Sequence, residues 1–274
     1  MAEKKIKSLL ESGIIILDKP IGPTSHQTTA YLMDILGIEK AGHSGTLDPK
    51  VSGVLPIGIN KGTKILELLL KFPKEYVGVM DLHKDVSLEK INEVIDEKFL
   101  GKIKQLPPRK SAVKRQERIR EVYSFKILEK RDNKVLFITK VQAGTYIRKL
   151  IHDLGEELNV GAHMLELRRT SVADFTEKQS HTLYEIAKIM QNKDYVELKK
   201  IILPIELAVT HLEKINLTNK ELQKIKYGQF IKVKGKSKGK KKYKDDYIAG
   251  FYKKKLVCLF RKRESMLKPD KVFL

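Results

Sequence analysis

The chain carries one cysteine, Cys258, which excludes an intramolecular disulfide and a cysteine-built zinc site. Cys258 stands in the apolar run LVCLF and reads as a small buried residue of a strand. No apolar run approaches the ~20 residues that a bilayer-spanning helix needs. The opening segment MAEKKIKSLLESG has no apolar core of the kind a secretory signal carries. A soluble, intracellular protein is therefore expected. There is no GxxxxGK[ST] phosphate loop, no HExxH helix and no paired CxxC. His26, His83, His152, His181 and His211 lack metal-ligand spacing, so neither a metal nor a cofactor is expected. Acidic side chains are also scarce: 34 Asp and Glu stand against 55 Lys and Arg, a net charge of +21. That excess calls for an acidic partner, either nucleic acid or an anionic membrane surface. With no spanning segment, nucleic acid is the better fit and no membrane is expected.

The 274 residues, 41% of them hydrophobic, allow one large or two modest domains. GIIIL at 13–17 reads as a buried strand, followed by a helix capped at Thr24 or Ser25 and stopped by Gly37. A loop is expected from Lys40 to Leu55 and a short helix near Thr63–Leu70. YVGVMDLH alternates as a strand, and Ile91, Val94, Ile95 and Phe99 give 87–100 a helical stripe. Segments 121–130 and 134–142 form a hairpin around Arg131-Asp132-Asn133. A helix over 145–158, a strand over 164–172 and helices over 182–210 follow. The expected class is α+β, with a largely antiparallel sheet over 1–212. Residues 213–274 have another texture, short strand-like runs around a lysine-rich insert, KVKGKSKGKKKYKDD at 232–246. Lys240, Lys241 and Lys242 in that insert read either as a solubilising loop or as a phosphate-contacting arm, and the overall charge favours the second.

The most distinctive segment is GHSGTLDPKVSGVLP at 42–56, a loop rich in Gly, Ser and Pro around one carboxylate, Asp48. Asp-Pro pairs commonly start turns, so local chemistry alone makes Asp48 a turn residue. A carboxylate in a shaped loop also suits a placed reagent, and the residues themselves leave both readings open.

This segment resembles the catalytic motif of the TruB family of RNA pseudouridine synthases, and more narrowly the archaeal branch of dyskerin, the catalytic subunit of H/ACA guide-RNA particles. DKPIGPTSHQ at 18–27, KEYVGVMDLH at 74–83, LPPRKSAVKR at 106–115, GTYIRKLIHDLG at 144–155 and GAHMLELRRT at 161–170 carry the likeness over residues 13–210. The resemblance implies a pseudouridine synthase catalytic domain followed by a small RNA-binding β-barrel of PUA type over 213–274. It implies that Asp48 is the catalytic aspartate, Tyr76 the active-site tyrosine that stacks on the flipped base or moves a proton, and Arg148 a buried partner of Asp48. Lys19 supports the catalytic loop or pairs with its charge. His43 touches RNA near the displaced base. His163 packs or bonds the backbone, Tyr146 packs, and one of Arg168 and Arg169 braces the site, Arg168 being counted among the RNA contacts. Arg109, Lys110, Lys114 and Arg115 belong to the basic tract 106–120, a backbone-binding surface.

The implied partners are an H/ACA guide RNA, an rRNA substrate, Nop-type and Gar-type small subunits and a kink-turn-binding protein. The implied location is the cytoplasm of an archaeal cell, or the nucleolus of a eukaryotic one. Two other functions remain open on sequence: a stand-alone enzyme acting on the tRNA T-loop, and a non-catalytic RNA scaffold.

Overall fold

The computed structural model describes residues 10–106, 116–232 and 247–274. Strand β1 (Ser12–Lys19) lies between two apolar layers, which explains its unbroken apolar run. Ile14 and Ile16 enter one core cluster and Ile15 and Leu17 another, so both strand faces are covered. Helix α1 (Ser25–Leu36) begins at Thr24, whose side chain forms a reciprocal capping box with Gln27, and stops at Gly37 in the left-handed conformation.

The expected 40–55 loop is shorter than the sequence suggested. Strand β2 (Ala41–His43) takes its start, and β3 (Ser52–Asn60) takes its end, leaving 44–51 irregular. Gly53, Gly58 and Pro56 hide β3 from a sequence reading, because glycine and proline ordinarily weaken strands. After β3 come α2 (Leu66–Leu70), β4 (Lys74–Leu82), α3 (Leu88–Val94) and β5 (Gly101–Gln105). The hairpin β6 (Arg118–Arg131) and β7 (Lys134–Val141), helix α4 (Ile147–Glu157), strand β8 (Ala162–Val172) and the two-residue strand β9 (Phe175–Thr176) follow. Helices α5 (Leu183–Gln191) and α6 (Tyr195–Ile201) then cover one face.

These strands form one sheet in the order β1-β3-β8-β4-β7-β6-β5, with β2 on β3 and β9 on β8. Every pairing is antiparallel except the short parallel contact of β3 with β8. That parallel contact brings the end of the irregular loop against Arg168 and Arg169.

The C-terminal strands β10 (Glu213–Asn216), β11 (Ile231–Lys232), β12 (Tyr247–Tyr252), β13 (Lys255–Arg263) and β14 (Met266–Val272) make a second sheet, ordered β10-β12-β13-β14-β11. It curls into a half-barrel of the PUA-like kind. The sequence reading missed α7 (Asn219–Lys226), which is short and polar and buries only Ile225. Its capping box, Thr218 with Glu221, was the available signal. The two sheets share a core: Tyr247, Ala249, Leu256 and Leu259 pack with Ile14, Val54, Phe72 and Val209. Cys258 lies buried in β13, where burial pushes its thiol up to about 12. Among the described residues no helix is long and apolar enough to cross a membrane.

Candidate active site

Segment 44–51 is irregular yet held from several sides. Ser25, fully buried at the start of α1, accepts from the Leu47 amide at 2.8 Å and donates to the Leu47 carbonyl at 3.0 Å. Lys19 Nζ donates to the carbonyls of Pro20 at 2.8 Å and Val51 at 3.0 Å. The Gly22 amide donates to the Pro49 carbonyl, and the Val51 amide to that of Asp48, each at 2.9 Å. The Asp48 backbone thus starts a turn, as the Asp-Pro pair suggested, while its side chain is directed elsewhere.

That side chain meets Arg148. Nη2 of Arg148 lies 2.7 Å from Oδ2 of Asp48. The expected pairing is therefore present, but not the expected burial: the two side chains are 56% and 48% exposed. Arg148 stands in the first turn of α4 and lines the cleft.

The buried arginine is Arg169. It is 1% exposed, and its Nε donates to the Val54 carbonyl at 2.7 Å while Nη2 donates to that of Gly45 at 3.0 Å. It stands opposite Tyr76 in the β4–β8 register, and both residues line the same cleft. Burial pulls the Arg169 guanidinium below its usual range, with Tyr76 acting in the opposite direction.

Lys74, 5% exposed, donates to the carbonyls of Leu70 and Phe72, each at 2.7 Å. Those carbonyls lie at and beyond the C-terminal end of α2, where backbone acceptors lack helical partners. Burial, helped by the Arg169 charge, lowers its ammonium to about 7.

Asp48, Tyr76, Lys74, Arg148, Arg169 and Tyr146 line one cleft of about 680 Å³. That volume is in the range of clefts that enclose a small ligand. The combination of one carboxylate, one phenol and several cations suits acid–base work on a bound, negatively charged substrate.

The other sequence-named residues divide clearly. Lys19 does support the loop, but it is 0% exposed and cannot reach RNA. Burial lowers its ammonium, and the Asp48 carboxylate partly offsets that. Arg168 is committed to acidic partners: its Nη1 and Nη2 hold Asp18 at 2.9 Å each, and its Nε bonds Glu177. This clamp raises its pKa, and it leaves Arg168 as a brace between β1 and β8 rather than an exposed RNA contact. His43 is half-buried in β2, and its Nδ1 has no hydrogen-bond partner among the described residues. Burial, with His26 and Arg169 nearby, lowers its pKa. His163 is exposed but packs as expected against one ring, that of His83: the ring centroids are 5.2 Å apart, and its Nδ1 lies 3.0 Å from Nε2 of His83.

Arg109, Lys110, Lys114, Arg115, Lys240, Lys241 and Lys242 lie outside the described residues. At the described end of the basic tract, Arg120 Nε donates to the Gly144 carbonyl at the cleft rim, at 3.1 Å. Sequence reasoning missed Lys74 and Ser25 and took Tyr146 as packing alone. The only signals were their places within the motifs KEY, TSH and GTY.

Comparison with known proteins gives concordant results. The N-terminal domain model of TruB-family pseudouridylate synthases matches residues 33–92, and the C-terminal domain model of tRNA pseudouridylate synthase B matches 148–210. A "probable tRNA pseudouridine synthase B" of Methanothermobacter thermautotrophicus is 48% identical over 231 residues, 83% of this chain and 71% of that protein. Among solved structures, that of a Cbf5–Nop10–Gar1 complex is similar with a TM-score of 0.89 and 41% identity, covering 98% of this chain and 87% of that one. An H/ACA ribonucleoprotein bound to a substrate RNA containing 2′-deoxyuridine is similar with a TM-score of 0.85 and 39% identity, covering 98% and 87%.

Proposed function

The chain belongs to the TruB family of pseudouridylate synthases, and from that membership we propose that it isomerises uridine to pseudouridine in rRNA as the catalytic subunit of a guide-RNA particle. The single observation that carries this reading is the likeness, over 98% of the chain, to a Cbf5–Nop10–Gar1 complex. The proposed partners are an H/ACA guide RNA, Nop10-like and Gar1-like subunits and a kink-turn-binding protein. The division proposed is a catalytic domain over 1–212 and an RNA-binding domain over 213–274. The matched relatives are archaeal, and the cytoplasm of such a cell is the proposed location.

The chemistry needs no redox change. The N1–C1′ bond breaks with its electrons on the uracil, the base turns, and C5 bonds to C1′. The hydrogen on C5 leaves as a proton, its electron pair restoring the C5–C6 double bond, and N1 gains a proton. The uridine must leave the RNA stack to reach the cleft. In this reading Asp48 acts at the junction of ribose and base, aimed by Arg148. Tyr76 stacks on the base and takes the C5 proton. Lys19, Ser25 and Arg169 keep the loop that carries Asp48 in place. Delegating sequence choice to a guide leaves the protein mainly phosphate contacts, in keeping with its net charge of +21.

A second reading has support in the name of the curated relatives: a stand-alone tRNA enzyme. Incubating the protein with tRNA alone, and then with an rRNA fragment, guide RNA and partner subunits, separates the two. The proposal expects product in the guided reaction and little without a guide. Full conversion of tRNA uridine by the protein alone would contradict strict guide dependence.

A further inference from the structure

Gln105 occupies a place in β5 where an apolar side chain is expected. Ile103 and Gln105 are buried while Lys102 and Lys104 are exposed, so strand alternation turns Gln105 inward beside Ile103. Ile103 shares a core cluster with Ile147, Leu150, Ile151 and Leu154 of α4. Gln105 is only 2% exposed, and a buried amide left without partners is costly. One residue satisfies it. Oε1 of Gln105 accepts from the Tyr146 amide at 3.0 Å, and Nε2 donates to the Tyr146 carbonyl at 3.2 Å. Exchanging the two ends of the side chain would set donor against donor and acceptor against acceptor, so the clamp has one orientation.

Tyr146 is the residue from which α4 departs. Its backbone is extended, with φ −92 and ψ 105, and its side chain makes no cap. Its carbonyl also accepts from the Leu150 amide at 3.0 Å, at the start of the helix. Gln105 thus holds both polar backbone groups of the residue that sets where α4 begins. Before it, Arg120 donates to the Gly144 carbonyl and the Glu121 amide donates to Gln142 Oε1, each at 3.1 Å. Beyond it, the buried stripe Ile147, Leu150, Ile151 and Leu154 anchors the body of α4. Residues 142–148 all line the cleft, whereas Gln105 is not among the lining residues. Arg148 is the second residue of α4, and its Nη2 lies 2.7 Å from Asp48 Oδ2. That pair is half-exposed, so no enclosing shell fixes it, and its geometry depends on where the backbone presents Arg148.

We propose that Gln105 is a positioning residue for the reaction: its clamp on Tyr146 sets the first turn of α4, and through it the aim of Arg148 on Asp48. The inference rests on the proposed isomerisation and adds to it a residue outside the cleft that acts through Arg148.

The test is a double-mutant cycle in the guided reaction, with wild type, Gln105→Met, Arg148→Met and the double variant, each measured for kcat and KM. Met is close to Gln in size but can neither hold the Tyr146 amide nor donate to its carbonyl. Gln105→Met should lower kcat about tenfold or more, because a small misplacement of a catalytic pair is costly, with KM within about threefold of wild type. In the Arg148→Met background the same change should lower kcat by no more than about twofold, since the aim is already lost. A purely structural role predicts the same fall in both backgrounds, and that result would overturn the proposal. A normal kcat in Gln105→Met, with or without a raised KM, would also overturn it. Should Gln105→Met fail to fold by circular dichroism, Gln105→Glu, which keeps an acceptor for the Tyr146 amide, takes its place in the cycle, and an equal fall in both backgrounds again overturns the proposal. A wild type that makes no pseudouridine removes both this inference and the function it rests on. An active wild type with independent effects of the two substitutions removes this inference alone.

Discussion

Gly53 lies against the main chain of Arg169 so closely that a Cβ on Gly53 would stand 2.2 Å from the Arg169 carbonyl oxygen. Gly53 also has φ +104, a conformation that side chains disfavour. This contact joins β3 to β8 and ties the loop carrying Asp48 to the strand carrying Arg169. Gly53→Ala must separate the two strands. It should cost on the order of 2–4 kcal/mol in a urea titration, with a fall in activity larger than the fraction unfolded explains.

The Asp48–Arg148 pair is half-exposed, so it should matter to rate more than to stability. Arg148→Met is expected to shift unfolding by less than about 1 kcal/mol. It should lower kcat by about 10–100-fold, because the carboxylate loses its aim. A thermal melt beside a single-turnover assay checks both, and a large loss of stability with normal turnover would contradict this role.

Much of the scaffold was legible in the sequence because local signals agreed with the fold. The run GIIIL, the Thr24 cap, the Gly37 stop and the Arg131-Asp132-Asn133 hairpin all stand where periodicity and turn chemistry put them. Strand β3 was not legible, because its glycines serve close backbone approach and its proline mimics a strand breaker. In the site, the motifs named Asp48, Tyr76 and Arg148, which the fold brings to one cleft. Which arginine of Leu167-Arg168-Arg169 is buried was beyond reach. Strand alternation puts neighbours on opposite faces, but the sequence alone does not say which face meets the loop. Burial of Lys19 and Lys74 was equally hidden, since lysine is rarely enclosed and the carbonyls that satisfy it come from distant turns.

Lys74 gives the protein a stability term that depends on pH. Its ammonium titrates at about 7 in the folded chain, against 10.5 as its ordinary value. Between those values the unfolded chain binds more protons, so the Lys74 contribution rises with pH across that window and is least below about pH 7. The stability of wild type relative to Lys74→Met should therefore grow by on the order of a few kcal/mol from about pH 6.5 to about pH 9.5. Urea titrations of both proteins at several pH values read this directly, and a constant difference would contradict it.

The insert lysines Lys240, Lys241 and Lys242 are expected to act on RNA affinity through their charge. Replacing all three with Gln should weaken guide-RNA binding and reduce the slope of log K against log salt by up to about 2–3. Titrations at a series of salt concentrations measure the slope, and an unchanged slope would leave the insert a solubilising segment.

The central claim is that Asp48 carries the reaction. Asp48→Asn keeps the size of the side chain and removes its charge. The decisive measurement is pseudouridine formed by this variant in the guided reaction, with guide-RNA affinity measured in parallel. The account predicts no detectable product and an affinity within about threefold of wild type. Turnover equal to wild type would contradict it and place the chemistry on another residue.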